Sequence, residues 1–258
     1  MHFIGTLSIV LAALTASAQA PVAWDWSGPI QPRQTVEIRN INGDIRAEAS
    51  TGSEVEISVV IVGTRPDPNT VRIDLVPYHG GVLACTVYEG LSNPDHCTPE
   101  TTPSVTLTNS DIRVHYTVRL PAGVNFKPKT VNGRIFAELA ENSISANAVN
   151  GRIVLSSGQP SDAHVVNGSI LATLTNVEWT GTREFASVNG AVDVELPESC
   201  QASVRAQTVF GYVANDFGIR VHHYLIGSWF AGDINGGGPS LLLGTVNGSI
   251  HLRNGSPQ

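Results

Sequence analysis

Charge is scarce in this sequence. Only 14% of its 258 residues are Asp, Glu, Lys or Arg, against roughly a quarter in an average globular protein, and the formal net charge is −7. The basic residues stand singly, so no Lys/Arg cluster is there to neutralise a run of phosphates, which argues against nucleic acid as a partner. After residue 20 no helical period is sustained and no apolar run approaches a membrane span. No Gly-x-Ser-x-Gly, Walker or dinucleotide fingerprint occurs. His115 and His222-His223 lack a spaced Cys, Asp or His companion, so no metal or other cofactor is expected. Asp193 and Glu195 have the spacing of a carboxylate pair on one strand face, but no basic partner accompanies them at a fixed offset. The chain is therefore read as non-enzymatic, with a carbohydrate-active β-helix enzyme as the alternative.

Cysteine is limited to three. Cys85 and Cys97 lie 12 residues apart across a stretch of turn formers, and in an oxidising compartment they are expected to close a disulfide stabilising the loop by roughly 3 kcal/mol. Cys200 is left over and reads as a small buried hydrophobe. An oxidising compartment is implied by residues 1–20: no acidic residue precedes the apolar run from Phe3 to Leu14, and Ala18-Gln19-Ala20 fits a small-x-small cleavage site. Export to the periplasm or cell surface is expected, with no membrane span in the mature chain.

What the sequence has in quantity is alternation and repetition. Period-two patterns run through Val36-Ile38, Val55-Ile57-Val59-Ile61, Val71-Ile73-Leu75, Gly81 to Tyr88, Val105 to Leu107 and Ile112-Val114-Tyr116-Val118, each bounded by turn residues. From residue 126 a second order appears. Val-Asn-Gly-x-Ile recurs at Asn132-Gly133, Asn150-Gly151, Asn167-Gly168 and Asn247-Gly248, with a near copy at Asn189-Gly190 and an early copy at Asn42-Gly43. Val209-Phe210-Gly211-Tyr212-Val213 and Phe230-Ala231-Gly232-Asp233-Ile234 read as degenerate copies, making seven units of roughly 20 residues from residue 126 on, apart from the early copy at Asn42-Gly43. Units too short to fold alone must bury their apolar faces against one another.

The expected fold is all-β: a single-stranded β-solenoid or β-helix-like stack with an elaborated N-terminal β portion. The expected divisions are a signal peptide at 1–20, an irregular lead-in at 21–33, the N-terminal β portion with its disulfide loop at 34–125, solenoid repeats at 126–253 and a tail at 254–258. Each unit is read as two short strands, with Ile135-Ala137-Leu139 and Ile144-Ala146-Ala148 pointing inward. The Asn-Gly pairs are structural corners: Gly reaches φ > 0, Asn tolerates the left-handed region, and stacked Asn amides can hydrogen-bond as a ladder.

Asn42-Gly43-Asp44-Ile45, the Cys85-Thr86-Val87-Tyr88 strand with its following Cys97, His115 to Gly123 ending in Leu-Pro-Ala-Gly, and the serial Val-Asn-Gly-x-Ile units together resemble the bacterial DUF4097 family of adhesin-type exported proteins over about residues 34–253. The resemblance implies a β-solenoid-like envelope protein that binds or scaffolds. Candidate partners are a glycan or an envelope or matrix component, or other copies through the solenoid ends, where the unit at Val246–Ile250 is a weak cap. Arg134 and Arg152, both directly after Asn-Gly, are expected to stack as an anion-holding edge. Trp24, Trp26, Tyr224 and Trp229 are candidates for cap packing or for a partner surface.

Overall fold

The computed structural model describes residues 22–64, 68–89, 97–98 and 110–255. The expected leader and the strand at Val105 to Leu107 lie outside the described residues. Where apolar and polar residues alternate, the chain is extended with one face buried. The strands before residue 121 are β1 (Val22–Gly28), β2 (Thr35–Arg39), β3 (Ile45–Ala49), β4 (Val55–Val62), β5 (Val71–Tyr78), β6 (Gly81–Tyr88) and β7 (Arg113–Leu120). Then come β8 (Asn125–Asn132), β9 (Ile135–Leu139), β10 (Ser145–Asn150), β11 (Ile153–Ser157), β12 (Asp162–Asn167), β13 (Ile170–Leu174), β14 (Thr182–Asn189) and β15 (Val192–Pro197). The last are β16 (Ala202–Phe210), β17 (Val213–Asn215), β18 (His222–His223), β19 (Ser228–Ile234), β20 (Ser240–Asn247) and β21 (Ile250–Gly255). The segment expected to be irregular is thus largely strand: β1 pairs antiparallel with β4, and Trp24 and Trp26 pack partly buried against the core.

Two large sheets result. The first runs β1-β4-β7-β3-β9-β11-β13-β15-β21-β17 and the second β18-β19-β16-β20-β14-β12-β10-β8-β2-β6-β5. Each repeat crosses from the second sheet to the first through its Asn-Gly corner, and its strands pair in parallel with those of the adjoining repeats. The motif's Ile is the inward anchor. Ile45, Ile135, Ile153, Ile170, Val192 and Ile250 are register neighbours in one row, all fully buried. In the second sheet Ala146, Ala163, Phe185, Leu243 and Ala206 form a buried register row of their own, and both rows belong to one close-packed core.

The corners explain the motif differently from the sequence expectation. A Cβ built on Gly133, Gly151, Gly168, Gly190 or Gly248 would overlap the carbonyl oxygen of the corner glycine in the adjoining repeat. Gly133 and Gly248 do not have positive φ, so close approach rather than the left-handed region dictates glycine there. Nor are the corner asparagines left-handed: among the described residues only Arg33 and Asn235 are non-glycine residues with φ > 0. Asn is there for its amide. Asn132 Nδ2 donates to Asn42 Oδ1 at 2.8 Å, Asn150 to Asn132 at 2.8 Å, Asn167 to Asn150 at 2.9 Å, Asn189 to Asn167 at 2.7 Å and Asn247 to Asn189 at 2.7 Å. Just inside the corner, the hydroxyls of Thr130, Ser187, Thr245 and Thr208 donate to the neighbouring glycine carbonyl.

Stacking order departs from sequence order. β20 lies between β14 and β16, so the unit at Val246 to Ile250, expected as an open C-terminal cap, is interior and is covered by β16 and β17. Phe210 has no amide to offer the ladder and takes its end, where Gly248 N donates to the Phe210 carbonyl at 2.9 Å. The expected corner at Phe230 to Ile234 is not one. The chain runs straight through it as β19, antiparallel to β16, with Phe230 and Ile234 buried.

Gly168→Ala is expected to destabilise the protein by more than about 2 kcal/mol in denaturant unfolding. Gly244→Ala, where the nearest heavy atom to a new Cβ is 3.9 Å away, should be neutral or stabilising by about 0.5–1 kcal/mol. Equal effects at the two sites would refute close approach as the reason for the motif. Asn167→Ala removes two ladder links and is expected to cost about 1–2 kcal/mol, roughly twice the loss from Asn247→Ala, which removes one.

Candidate functional site

Alternation in the second sheet carries a consequence for its outer face. Ala148, Val165, Ser187, Thr208 and Thr245 point inward and are buried. The valine that follows each must therefore point outward. Val149, Val166, Val188, Val209 and Val246 are each about two-fifths exposed (39–41%) and form a stripe beside the asparagine ladder. One step back along the same face, Lys129, Asn147, His164, Ala186, Gly244 and Gln207 are consecutive register partners. A groove of about 370 Å³ opens over β8, β10, β12 and β14, lined by Val131, Val149, Val166 and Val188 with Asn147, His164 and Lys129. The stripe was legible in principle, since inward Ala163 and Val165 leave Val166 outward.

A charge cluster closes the groove's N-terminal end. Glu37 on β2 is buried on this outer face, with Arg39 Nε at 2.8 Å, Lys129 Nζ at 3.0 Å and Lys127 Nζ at 3.6 Å from its carboxylate. Arg39 also donates to the Thr98 carbonyl at 2.6 Å. Thr98 follows Cys97, which forms a disulfide with Cys85 and packs on Leu83, Cys85 and Val87. Cys97 and Thr98 are thereby held against β6 and Arg39. Burial raises the Glu37 pKa, but hydrogen bonds and charge from Arg39 and Lys129 outweigh it and hold the carboxyl below the usual range. The Lys127 and Lys129 side chains beside this carboxylate remain partly exposed. At the groove's other end Gln207 is the register partner of Trp229 on β19.

The two arginines expected to form an anion-holding edge differ in what they meet. Arg134 and Arg152 do occupy equivalent places in adjoining repeats, where Ile135 N donates to the Arg152 carbonyl at 2.9 Å. Arg134, however, is paired with Asp44: Nη2 lies 2.7 Å and Nε 3.2 Å from Oδ2, and the Arg134 backbone N–H donates to Oδ1 at 2.8 Å. Asp44 holds the same place one repeat earlier, directly after Asn42-Gly43, so its carboxylate occupies the Arg134 guanidinium, and of the two arginines only Arg152 has no ion pair among the described residues. Asp193 is likewise paired, with Arg253 Nη2 on the neighbouring β21 at 3.1 Å. That basic partner comes across the sheet, not at an offset along the chain. Among the described residues no group of three His, Cys, Asp or Glu is placed to hold a metal ion. The arrangement is suited to holding an extended molecule by shape, apolar contact and a few hydrogen bonds.

No protein-family profile matches the sequence, and no curated protein matches it. Solved structures to which the chain is similar include a "putative cell adhesion protein" from Clostridium sporogenes at 10% identity, covering 91% of this chain and 100% of that one with a TM-score of 0.44. A "putative adhesin" from Bacteroides fragilis is 8% identical, covering 90% and 97% with a TM-score of 0.26. Another "putative adhesin", from Parabacteroides merdae, is 8% identical, covering 89% and 95% with a TM-score of 0.25.

Because the Glu37 pKa is lowered on folding, the unfolded chain takes up this proton first as pH falls. The stability the carboxylate contributes is full above its unfolded pKa, near 4.3, and is lost as pH drops through the lower folded value. Glu37→Gln is expected to cost about 3 kcal/mol at neutral pH and to flatten the acid limb of the stability profile. An unchanged acid limb would show that the cluster contributes nothing to it.

Proposed function

We propose that this chain is an exported, non-enzymatic envelope or surface protein of adhesin type, a β-solenoid that works by binding through its ribbed outer face. The observation that carries the reading is the in-register valine stripe beside the Lys129-Asn147-His164 row. Together they repeat one apolar and one polar contact at each strand spacing of about 4.8 Å, which fits a partner that is itself extended and repetitive. Valine methyls suit the C–H faces of sugar rings, Asn147 and His164 can hydrogen-bond hydroxyls, and the partly exposed ammonium groups of Lys127 and Lys129 favour an acidic polysaccharide over a neutral one. The Cys85–Cys97 disulfide supports an oxidising, extracytoplasmic compartment. Among the described residues no helix is long and apolar enough to cross a membrane.

Self-assembly through the solenoid ends is the weaker reading. The sheets finish in strands of only three and two residues at β17 and β18. At the other end, β5 carries Pro77 and β1 an exposed Asp25. Short, charged or proline-bearing edges discourage end-to-end pairing.

Titration of the purified protein against alginate, peptidoglycan and neutral dextran tests the proposal. Acidic polymer is expected to bind with a salt-dependent affinity. Val149→Asp with Val166→Asp should weaken it at least about ten-fold, and Lys129→Ala should weaken it and reduce the salt dependence. Absence of binding to every polymer, or binding indifferent to the valines, would refute this face as the site.

A further inference from the structure

We infer that the turn between β18 and β19 is a membrane-docking tip that seats the protein on an anionic lipid surface. This goes beyond the polymer-binding face and rests on different residues. Among the described residues, every exposed large apolar side chain outside this region is a valine or Leu242. Here Tyr224 (67%), Leu225 (103%) and Ile226 (60%) are presented in succession. Beside them the terminal corner adds Phe210 and Tyr212, both more than half exposed.

The turn is held in place. Tyr224 N donates to the Gly227 carbonyl at 3.1 Å, and Gly227 lies so close to the Thr208 and Val209 carbonyls that a Cβ would collide with them. Ser228 Oγ accepts from Val213 N at 3.0 Å, tying the base of the hairpin to the corner. Behind the tip, His222 and Tyr224 stack on Trp229 at centroid distances of 4.5 and 6.4 Å, so a rigid base supports the exposed residues.

Shape, composition and charge point to lipid. A convex tip cannot enclose a small ligand. Fully exposed aliphatic residues flanked by Tyr and Trp match the layering of a bilayer interface, with aliphatic side chains deepest and amphipathic rings at headgroup level. From Phe217 to Gly232 there is no acidic residue, while Arg220, His222 and His223 are all exposed. No ion pair engages Arg220 among the described residues. The nearest acids in sequence are hydrogen-bonded away from Arg220, Asp216 with His251 and the Asn254 N–H and Asp233 with the Ser203 hydroxyl. In a chain of net charge −7 the one formal charge within this segment is the positive charge of Arg220, which is complementary to anionic headgroups.

Flotation of the full chain, purified as exported, with phosphatidylcholine–phosphatidylglycerol vesicles and with phosphatidylcholine alone tests the inference. The protein is expected to float with the anionic vesicles. Leu225→Ser with Ile226→Ser should reduce that partition at least about ten-fold, and Arg220→Gln about five-fold with a smaller salt dependence. Melting temperature and alginate binding should not change in these variants, so failure of the tip and failure of the polymer-binding face are distinguishable. No flotation with anionic vesicles, or flotation unaltered by the double substitution, would overturn the proposal. So would a dimer, without vesicle binding, that the double substitution dissolves, because the tip would then seat in a second copy.

Discussion

The architecture depends on how closely successive corners approach. At each Asn-Gly turn the glycine backbone of one repeat lies against the glycine carbonyl of the next, with no room for a side chain. Backbone N–H groups of Gly43, Gly133, Gly151, Gly168 and Gly190 bridge this contact to the asparagine carbonyls of the adjoining repeat. Such a junction admits one register only. It aligns the asparagine amides within hydrogen-bond reach, and a head-to-tail chain of amides polarises each of its links. The same alignment brings Ile135, Ile153 and Ile170 into one buried row, so hydrophobic burial and corner chemistry reinforce the same pairing.

Registration also turns a linear repeat into surface stripes. A valine preceding every asparagine is a detail of sequence until the strands stack in register, and then it is a continuous apolar edge flanked by amides on one side and by Asn147, His164 and small residues on the other. At the N-terminal end the pattern is broken deliberately. Asn40 donates to the Gly43 and Val114 carbonyls, and Thr86 links Asn40 to the Tyr116 hydroxyl. A buried polar hub thus replaces the simple corner where the repeats stop, and on the outer face the Glu37 cluster, with Arg39 bonded to the Thr98 carbonyl, takes the place of the valine stripe. At the opposite end Phe210 replaces asparagine, the amide chain stops, and the outer surface becomes aromatic and aliphatic.

Much of this was legible from residues alone. Alternation identified the strands, and the inward side of Ile135-Ala137-Leu139 and Ile144-Ala146-Ala148 agrees with their burial. Other features were hidden for physical reasons. Phe230 to Ile234 matches the repeat by residue type, yet runs straight as β19 and pairs antiparallel with β16. Arg134 and Arg152 looked equivalent, but Asp44 reaches Arg134 from 90 positions away, a contact that appears only when Asn42 and Asn132 are stacked. Residues 22–28, rich in turn-prone neighbours, form a strand because β4 offers an unpaired edge and the exposed core end needs Trp24 and Trp26.

Sequence by itself determined the class of structure, the unit and its corner. Period-two burial demands strands, and a 20-residue unit that cannot bury its own apolar face demands neighbours. What only the tertiary structure decided is the order in which those neighbours stack. Sequence proximity favoured β16 next to β14, yet β20 takes that place because Asn247 continues the amide ladder and Phe210 does not. The groove, the buried Glu37 cluster and the apolar tip follow from that order and from the loops that cover or expose each end. They are properties of side chains brought together from distant parts of the chain, and no local pattern encodes them.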